Sequence, residues 1–197
     1  MANRESTVER KTLETDIKLK IDLDGSGESN IKSGNGFMDH MLTLFAKHGL
    51  FDLTLNCDGD TEVDFHHSAE DIAICLGDAV GKALGDKTGI NRYATEFLPM
   101  DESLARVCMD IGGRSNLVYK VDLTDRKINN FEIDLVEDFF KAFTDGAKMT
   151  LHIDLLRGRN SHHSIEAIFK AFGRALRFAC DINPKAADKI PSSKGVI

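Results

Sequence analysis

The sequence contains no tryptophan, two tyrosines and three prolines in 197 residues. Without indole rings, a core must be assembled from aliphatic side chains and the 12 phenylalanines. Cysteine is scarce as well. Cys57, Cys75, Cys108 and Cys180 stand at wide, irregular gaps and form no C-x-x-C pair. That spacing fits reduced core cysteines better than a zinc ribbon or a disulfide framework. No apolar run approaches the roughly 18 residues of a membrane span. Residues 1–16 are polar and mixed in charge, unlike a signal peptide. Positive charge is in deficit, with 25 Lys and Arg against 32 Asp and Glu and a net charge of −7. General electrostatic binding of nucleic acid is therefore not expected, while a local basic pocket for a small anion is compatible. A soluble, cytoplasmic protein with neither nucleic acid nor membrane as partner is the expectation.

What is present is a repeat. Residues 66–79, HHSAEDIAICLGDA, return as HHSIEAIFKAFGRA at 162–175, with seven of 14 positions identical at an offset of 96. That offset is close to half the chain, which points to a duplicated half-chain unit within one domain of 1–197, divided at about 1–90 and 91–197. The 42% of apolar residues supplies a sizeable core. Ile17, Leu19, Ile21 and Leu23 alternate with polar residues and predict a half-buried strand, with residues 7–13 as its partner across a turn near Glu14–Thr15. In the second half Ala105, Val107, Met109 and Ile111 alternate, Gly112–Gly113 turns the chain, and Leu117, Tyr119, Val121 and Leu123 alternate again, which predicts a hairpin. Helical spacing follows in each half, carried by Phe37, Met41, Leu44, Phe45 and His48 and by Val136, Phe139, Phe140 and Phe143. A short strand comes next (Leu53, Leu55; Leu151, Ile153), then the helix that opens at the His pair. Each half reads strand, strand, helix, strand, helix. Two copies predict an α+β layered domain of four helices and about eight strands. Residues 24–27 read as a turn or flexible loop, 87–99 as the link between halves, and the chain from Asn183 as a tail.

Four of the seven histidines sit in the two H-H-x-x-E motifs. At about 100° per residue, His66 and Glu70 lie about 40° apart on a helix and His67 and Glu70 about 60° apart, so all three can converge. His162, His163 and Glu166 repeat the arrangement. The apolar stripes Ile72, Leu76, Val80 and Ile168, Phe172, Leu176 fall beside these groups, which keeps the imidazoles and carboxylates off the packing face. Imidazole with carboxylate suits Mn, Fe, Co, Ni or Zn. His40 is a further candidate ligand, and Asp138 aligns with it (MDHMLTLF against VEDFFKAF). His48 and His152 read alone as core-edge and strand residues. Lys170 follows Glu166 by one turn where the first half has Ile74, so the symmetry is broken toward an anion. Ser192, Ser193 and Lys194 offer hydroxyls and an ammonium for a phosphate, with Arg92 and Arg114 as additional cations. A lyase, a dinuclear phosphate-ester hydrolase and a metal-storage protein all remain open on these residues alone.

The motifs also occur together in one known family. R-x-T-x-E-T at 10–15, G-x-G-F-M-D-H-M at 34–41, D-x-H-H-x-x-E-D at 64–71, G-I-N-R at 89–92, D-E-x-L-x-R at 101–106, G-G-R at 112–114, N-S-H-H-x-x-E at 160–166 and P-S-S-K-G-V at 191–196 run in order through nearly the whole chain. The sequence resembles the imidazoleglycerol-phosphate dehydratases. The resemblance implies a four-helix layer between two four-stranded sheets and a homo-oligomer of 24 subunits with shared active sites. It implies two Mn²⁺ per active site, held by His40, His66, His67, Glu70, His162, His163 and Glu166. Many family members have a further His where this chain has Asp138, here included as a ligand. The implied reaction is loss of water from D-erythro-imidazole glycerol phosphate to give imidazole acetol phosphate, in histidine biosynthesis. The proton removed is on a carbon without an adjacent carbonyl, so metal-bound imidazolate would be needed to expel the hydroxyl. Glu14 and Glu166 are then expected to move protons and Asp101 to orient a histidine. Glu14, His48, Arg92, Arg114, Lys170, Ser192, Ser193 and Lys194 are expected to hold the substrate.

Overall fold

A computed structural model describes residues 4–197. The chain forms β1 (Glu5–Lys11), β2 (Thr15–Asp22), β3 (Ser29–Lys32), α1 (Gly36–Gly49), β4 (Asp52–Gly59) and α2 (His66–Leu84). It then forms β5 (Tyr93–Met100), β6 (Ser103–Asp110), β7 (Asn116–Lys120), β8 (Lys127–Ile128), β9 (Phe131–Glu132), α3 (Leu135–Ala147), β10 (Thr150–Arg157) and α4 (Ser161–Cys180). Two four-stranded sheets have the same plan, β1-β2-β4-β3 and β5-β6-β10-β7. In each, the last strand of the order runs parallel to its neighbour and the others are antiparallel. β8 and β9 form a small separate hairpin.

The alternating rows face inward as the pattern requires: Ile17, Leu19 and Ile21 are at most 1% exposed, and Ala105, Val107 and Ile111 are fully buried. Phenylalanine supplies the bulk that tryptophan does not. Phe172 on α4 packs against Phe45 of α1 (ring centroids 5.0 Å apart) and Phe143 of α3 (4.9 Å), so one ring ties three helices together. α2 lies on β1 and β2, and α4 on β5 and β6. The remaining helices cross over between halves: α1 pairs with α4, and α3 with α2. The four helices thus lie between the sheets. The four cysteines are free thiols, and burial pushes Cys75 and Cys180 up to about 12.

Glycine sets both helix crossings. A Cβ on Gly173 would sit 2.5 Å from the carbonyl oxygen of Phe45 and 3.1 Å from the Gly49 nitrogen. A Cβ on Gly77 would sit 2.5 Å from the Phe143 oxygen and 2.8 Å from the Ala147 nitrogen. These are corresponding contacts in the two halves, and they fix the same helix register in both.

Three expectations need correction. The strands on either side of Gly112–Gly113 do not form a hairpin: β10 lies between β6 and β7. Leu151 and Ile153 of β10 continue the buried row beside Met109 and Val107, so β6 has both edges filled, by β5 and β10. Residues 87–99 are not simply a link, because β5 begins at Tyr93. Its apolar residues are split between faces, with Tyr93 and Phe97 exposed and Ala94 and Leu98 half-buried, which removes the alternation. Pro99 is tolerated because β5 is an edge strand. The first strand ends at Lys11 instead of residue 13, since the Thr12 hydroxyl accepts from the Glu14 and Thr15 amides and turns the chain. Two strands, β3 and β5, were absent from the pattern and bring each sheet to four. Loop 24–28 is pinned: Asp52 Oδ1 accepts from the amides of Ser26 (2.8 Å), Gly27 (3.1 Å) and Glu28 (2.9 Å).

Candidate active site

Side-chain oxygens before each His pair take up amides at the helix starts, Asn160 as the N-cap of α4 and Asp64 from one residue outside Phe65, the N-cap of α2. Asn160 Oδ1 accepts from the His162 amide at 2.9 Å, and Asp64 Oδ1 from the His66 amide at 2.7 Å. α1 starts in the same way, with Asn35 Oδ1 accepting from Phe37 N at 2.9 Å. The register fixed at Gly173 brings His40 of α1 over the first turns of α4. His40 Nε2 and His162 Nε2 lie 2.9 and 3.0 Å from the same oxygen, Glu166 Oε1. These donors all fall within 4.8 Å of one another. Lys170 Nζ donates to the other oxygen, Oε2, at 2.6 Å. The Glu166 side chain is only 10% exposed. Burial alone would raise its pKa, but hydrogen bonds from Lys170, His40 and His162 outweigh it and hold the carboxyl at about 2. Glu166 is therefore a carboxylate throughout the physiological range.

The second histidine of each pair points elsewhere. His163 Nδ1 is 3.0 Å from Glu102 Oε2, and His67 Nδ1 is 3.0 Å from Asp60 Oδ2. Rings of consecutive histidines are nearly perpendicular, at 86° and 87°. The expected convergence on Glu is therefore met by the first histidine of each pair alone within the chain. Adjacent residues on a helix project about 100° apart, and the nearby carboxylates capture the second ring. The hydrogen bond to Glu102 raises the His163 pKa, and that to Asp60 raises His67. His66 stands 3.8 Å from Glu70, whose side chain is 52% exposed.

A second cluster lies at the tail. Arg92, Arg114, Ser192, Ser193 and Lys194 line one cavity of about 210 Å³ together with Tyr93 and Gly112. Arg92 is fixed by a two-point contact, Nε to Asp110 Oδ1 at 2.6 Å and Nη2 to Oδ2 at 3.1 Å, and its Nη1 donates to the Pro191 carbonyl at 2.8 Å. The tail is thereby held beside two arginines.

A family model for imidazoleglycerol-phosphate dehydratase matches residues 33–176. The dehydratase of Hydrogenovibrio crunogenus is 51% identical over 194 residues, covering 98% of this chain and 100% of that protein. That of Hahella chejuensis is 52% identical over 197 residues and covers both chains fully. The chain belongs to the imidazoleglycerol-phosphate dehydratase family. The crystal structure of the Staphylococcus aureus dehydratase superposes with a TM-score of 0.83 at 42% identity, covering 91% of this chain and 99% of that one. The Pyrococcus furiosus dehydratase, solved in complex with (S)-C348, gives 0.83 at 33% identity, covering 96% and 100%. The chain is thus a hydro-lyase of histidine biosynthesis, and the two sheets with four helices are the dehydratase fold.

Against this dehydratase frame, the predicted residues fall into separate groups. His40, His162 and Glu166 come together. Glu14 faces the His67 side, with Oε1 3.8 Å from His67 Nε2. Asp101 lies 3.8 Å from His163 Nδ1, farther than Glu102, so the orienting position expected for Asp101 is filled by Glu102. His48 and Lys170 line a different cavity from Arg92 and the tail, together with Arg174. Asp138 is exposed on α3 and belongs to neither group of donors within 4.8 Å of one another among the described residues, which are His40 with His162 and Glu166, and Asp101 with Glu102 and His163. Glu102 and Asp60 went unnoticed in the sequence. Glu102 was findable, because it precedes Ser103 at the start of β6 as Glu14 precedes Thr15 at the start of β2; Asp60 has no such counterpart. The metal fits: two imidazole nitrogens and a permanently ionised carboxylate oxygen, brought together from two helices, form half of a divalent-cation coordination sphere. No helix of the described residues is long and apolar enough to cross a membrane.

Proposed function

We propose that this chain dehydrates imidazole glycerol phosphate to imidazole acetol phosphate in a metal-dependent reaction, with two Mn²⁺ per active site. The observation that carries this reading is the meeting of His40 Nε2, His162 Nε2 and Glu166 Oε1, from helices of opposite halves, within 4.8 Å. His66, Glu70 and Asp138 would hold the second ion, and His67 and His163 would complete both. The bound metal would supply Lewis-acid polarisation of the substrate's imidazole, which stands in for the missing carbonyl and favours the imidazolate.

The protein's own groups do the rest. Glu14, 53% exposed on the turn between β1 and β2, is free to move a proton at the substrate carbon or hydroxyl. Glu166, expected from the resemblance to be a second proton-transfer group, is held ionised by Lys170, His40 and His162, and we assign it to the metal side as a fixed charge. Glu102 and Asp60 hold the rings of His163 and His67 through Nδ1, leaving Nε2 as the ligand atom. Arg92, Arg114, Ser192, Ser193 and Lys194 grip the phosphate, with His48 and Lys170 at the other end of the substrate. Phosphate binding remote from the reacting carbon fixes its orientation.

The separation of these groups within one chain supports active sites shared between subunits of a homo-oligomer, for which 24 copies is the family expectation, in the cytoplasm. Gel filtration with and without chelator tests the role of metal in assembly, and an unchanged elution volume sinks it. Turnover is tested with imidazole glycerol phosphate and Mn²⁺, then with chelator, following ketone and inorganic phosphate together. Metal-dependent ketone without phosphate release is the expected result. Phosphate release would point to a hydrolase instead.

A further inference from the structure

The two halves present unequal donor sets at corresponding places. His40 stands five residues before Phe45, and Asp138 five before Phe143. Glu166 stands seven before Gly173, and Glu70 seven before Gly77. The Gly173–Phe45 and Gly77–Phe143 crossings are equally tight, each 2.5 Å from a Cβ position to a carbonyl oxygen. The C-caps agree: Leu50 and Lys148 are both left-handed, and His40 and Asp138 each lie ten residues before them. Helix register therefore gives Asp138 the place on α3 that His40 has on α1, although within this chain its carboxylate lies outside the 4.8 Å reach that groups His40 with His162 and Glu166.

The chemistry on the two sides differs. The second-half set has two imidazoles and one carboxylate, and Lys170 offsets that carboxylate's charge at 2.6 Å. The first-half set has one imidazole and two carboxylates. Ile74 stands where Lys170 would be, and Glu70 is half exposed, with no cation one turn beyond it. One set carries a net charge near zero and the other near −2. His67 and His163 are alike, so whatever they add leaves the difference intact. Nitrogen-rich sets favour Zn²⁺ and its neighbours late in the transition series, whereas anionic oxygen donors suit Mn²⁺ and Mg²⁺.

We propose that the two metal positions are chemically distinct: the Asp138 position is a hard, oxygen-rich site that retains Mn²⁺, and the His40 position is an imidazole-rich site that exchanges it for Zn²⁺. This rests on the metal-centre reading above. It makes the enzyme's metal content a mixture set by supply, with the Asp138 side resisting replacement.

The test is metal exchange on the full-length protein in its native assembly. The protein is stripped with chelator and reloaded with Mn²⁺. Zn²⁺ is then titrated in while bound metal is counted by mass spectrometry and released Mn²⁺ by electron paramagnetic resonance. Half of the Mn²⁺ is expected to leave at Zn²⁺ concentrations about tenfold or more below those that displace the rest. Asp138→His should bring the second midpoint down toward the first, and His40→Asp should raise the first toward the second. Asp138 is exposed, so its replacement leaves the core untouched and the result does not hang on the His40 variant. A single exchange midpoint in the parent, or an unchanged pair in Asp138→His, overturns the proposal while leaving the metal centre in place. Failure of the parent to retain any Mn²⁺ overturns both.

Discussion

His40 Nε2 lies 2.9 Å from Glu166 Oε1, although 126 residues separate them in the chain. The contact joins α1 of one half to α4 of the other, and the catalytic consequences of most substitutions around it follow from that geometry. Replacing Glu166 by Gln keeps the volume and removes the charge. Turnover is expected to fall about 100-fold or more, with bound metal reduced and the circular dichroism spectrum unchanged. Unchanged turnover with full metal content would remove Glu166 from the mechanism.

Glu14→Gln separates proton transfer from metal binding. Glu14 is exposed and lies 3.8 Å from His67, beyond hydrogen-bonding distance. Turnover should fall by a similar factor of about 100 while metal content and melting temperature stay at parental values, which a metal count beside a steady-state assay checks directly.

Arg92→Lys keeps the charge and loses the fork. The two-point contact to Asp110 and the bond to the Pro191 carbonyl cannot all be made by an ammonium. KM for the phosphorylated substrate is expected to rise about tenfold or more, equivalent to about 1.4 kcal/mol, and residues 191–197 should become more sensitive to protease. A parental KM would place phosphate recognition elsewhere.

Gly173→Ala tests whether helix approach controls the site. The new methyl meets backbone at 2.5 Å, so α1 has to move away from α4. A loss of about 1–3 kcal/mol in stability is expected, accompanied by loss of metal, because His40 withdraws from Glu166. Stability loss with metal affinity intact would show that the ligands adjust independently of the crossing.

Asp52 gives the clearest pH dependence away from the site. Backbone hydrogen bonds from Ser26 and Glu28 lower its pKa below the ordinary 3.8. A folded-state pKa below the unfolded one means that the carboxylate stabilises the fold above about 3.8 and that this gain disappears as pH falls through the lower folded value. Asp52→Asn should therefore cost about 1 kcal/mol near neutrality and less at about pH 3, below the ordinary value of 3.8. Urea melts of both proteins at the two pH values measure the difference.

The sequence was most legible where periodicity and chemistry coincided. The inward rows of β2 and β6 and the helices at the H-H-x-x-E motifs followed from spacing of 2 and 3.6. β3 and β5 did not, because one is four residues long with only Ile31 half-buried, and the other carries apolar side chains on both faces. The false hairpin at Gly112–Gly113 arose because two adjacent alternating segments look alike whether they pair with each other or with a third strand inserted from 30 residues later in the chain. At the site, His40 was recognisable from its internal alignment with Asp138. Rotation of His67 and His163 away from their partners was not, since it depends on Asp60 and Glu102, which arrive from a strand end and a turn.

The exchange of α1 and α3 makes each half depend on the other. A half-chain on its own would have one helix on its sheet and a second with no partner, its apolar stripe open to water. Covalent linkage of the halves makes their pairing intramolecular and independent of concentration. It also lets the two halves differ, and Asp138 and Lys170 each stand on one side only.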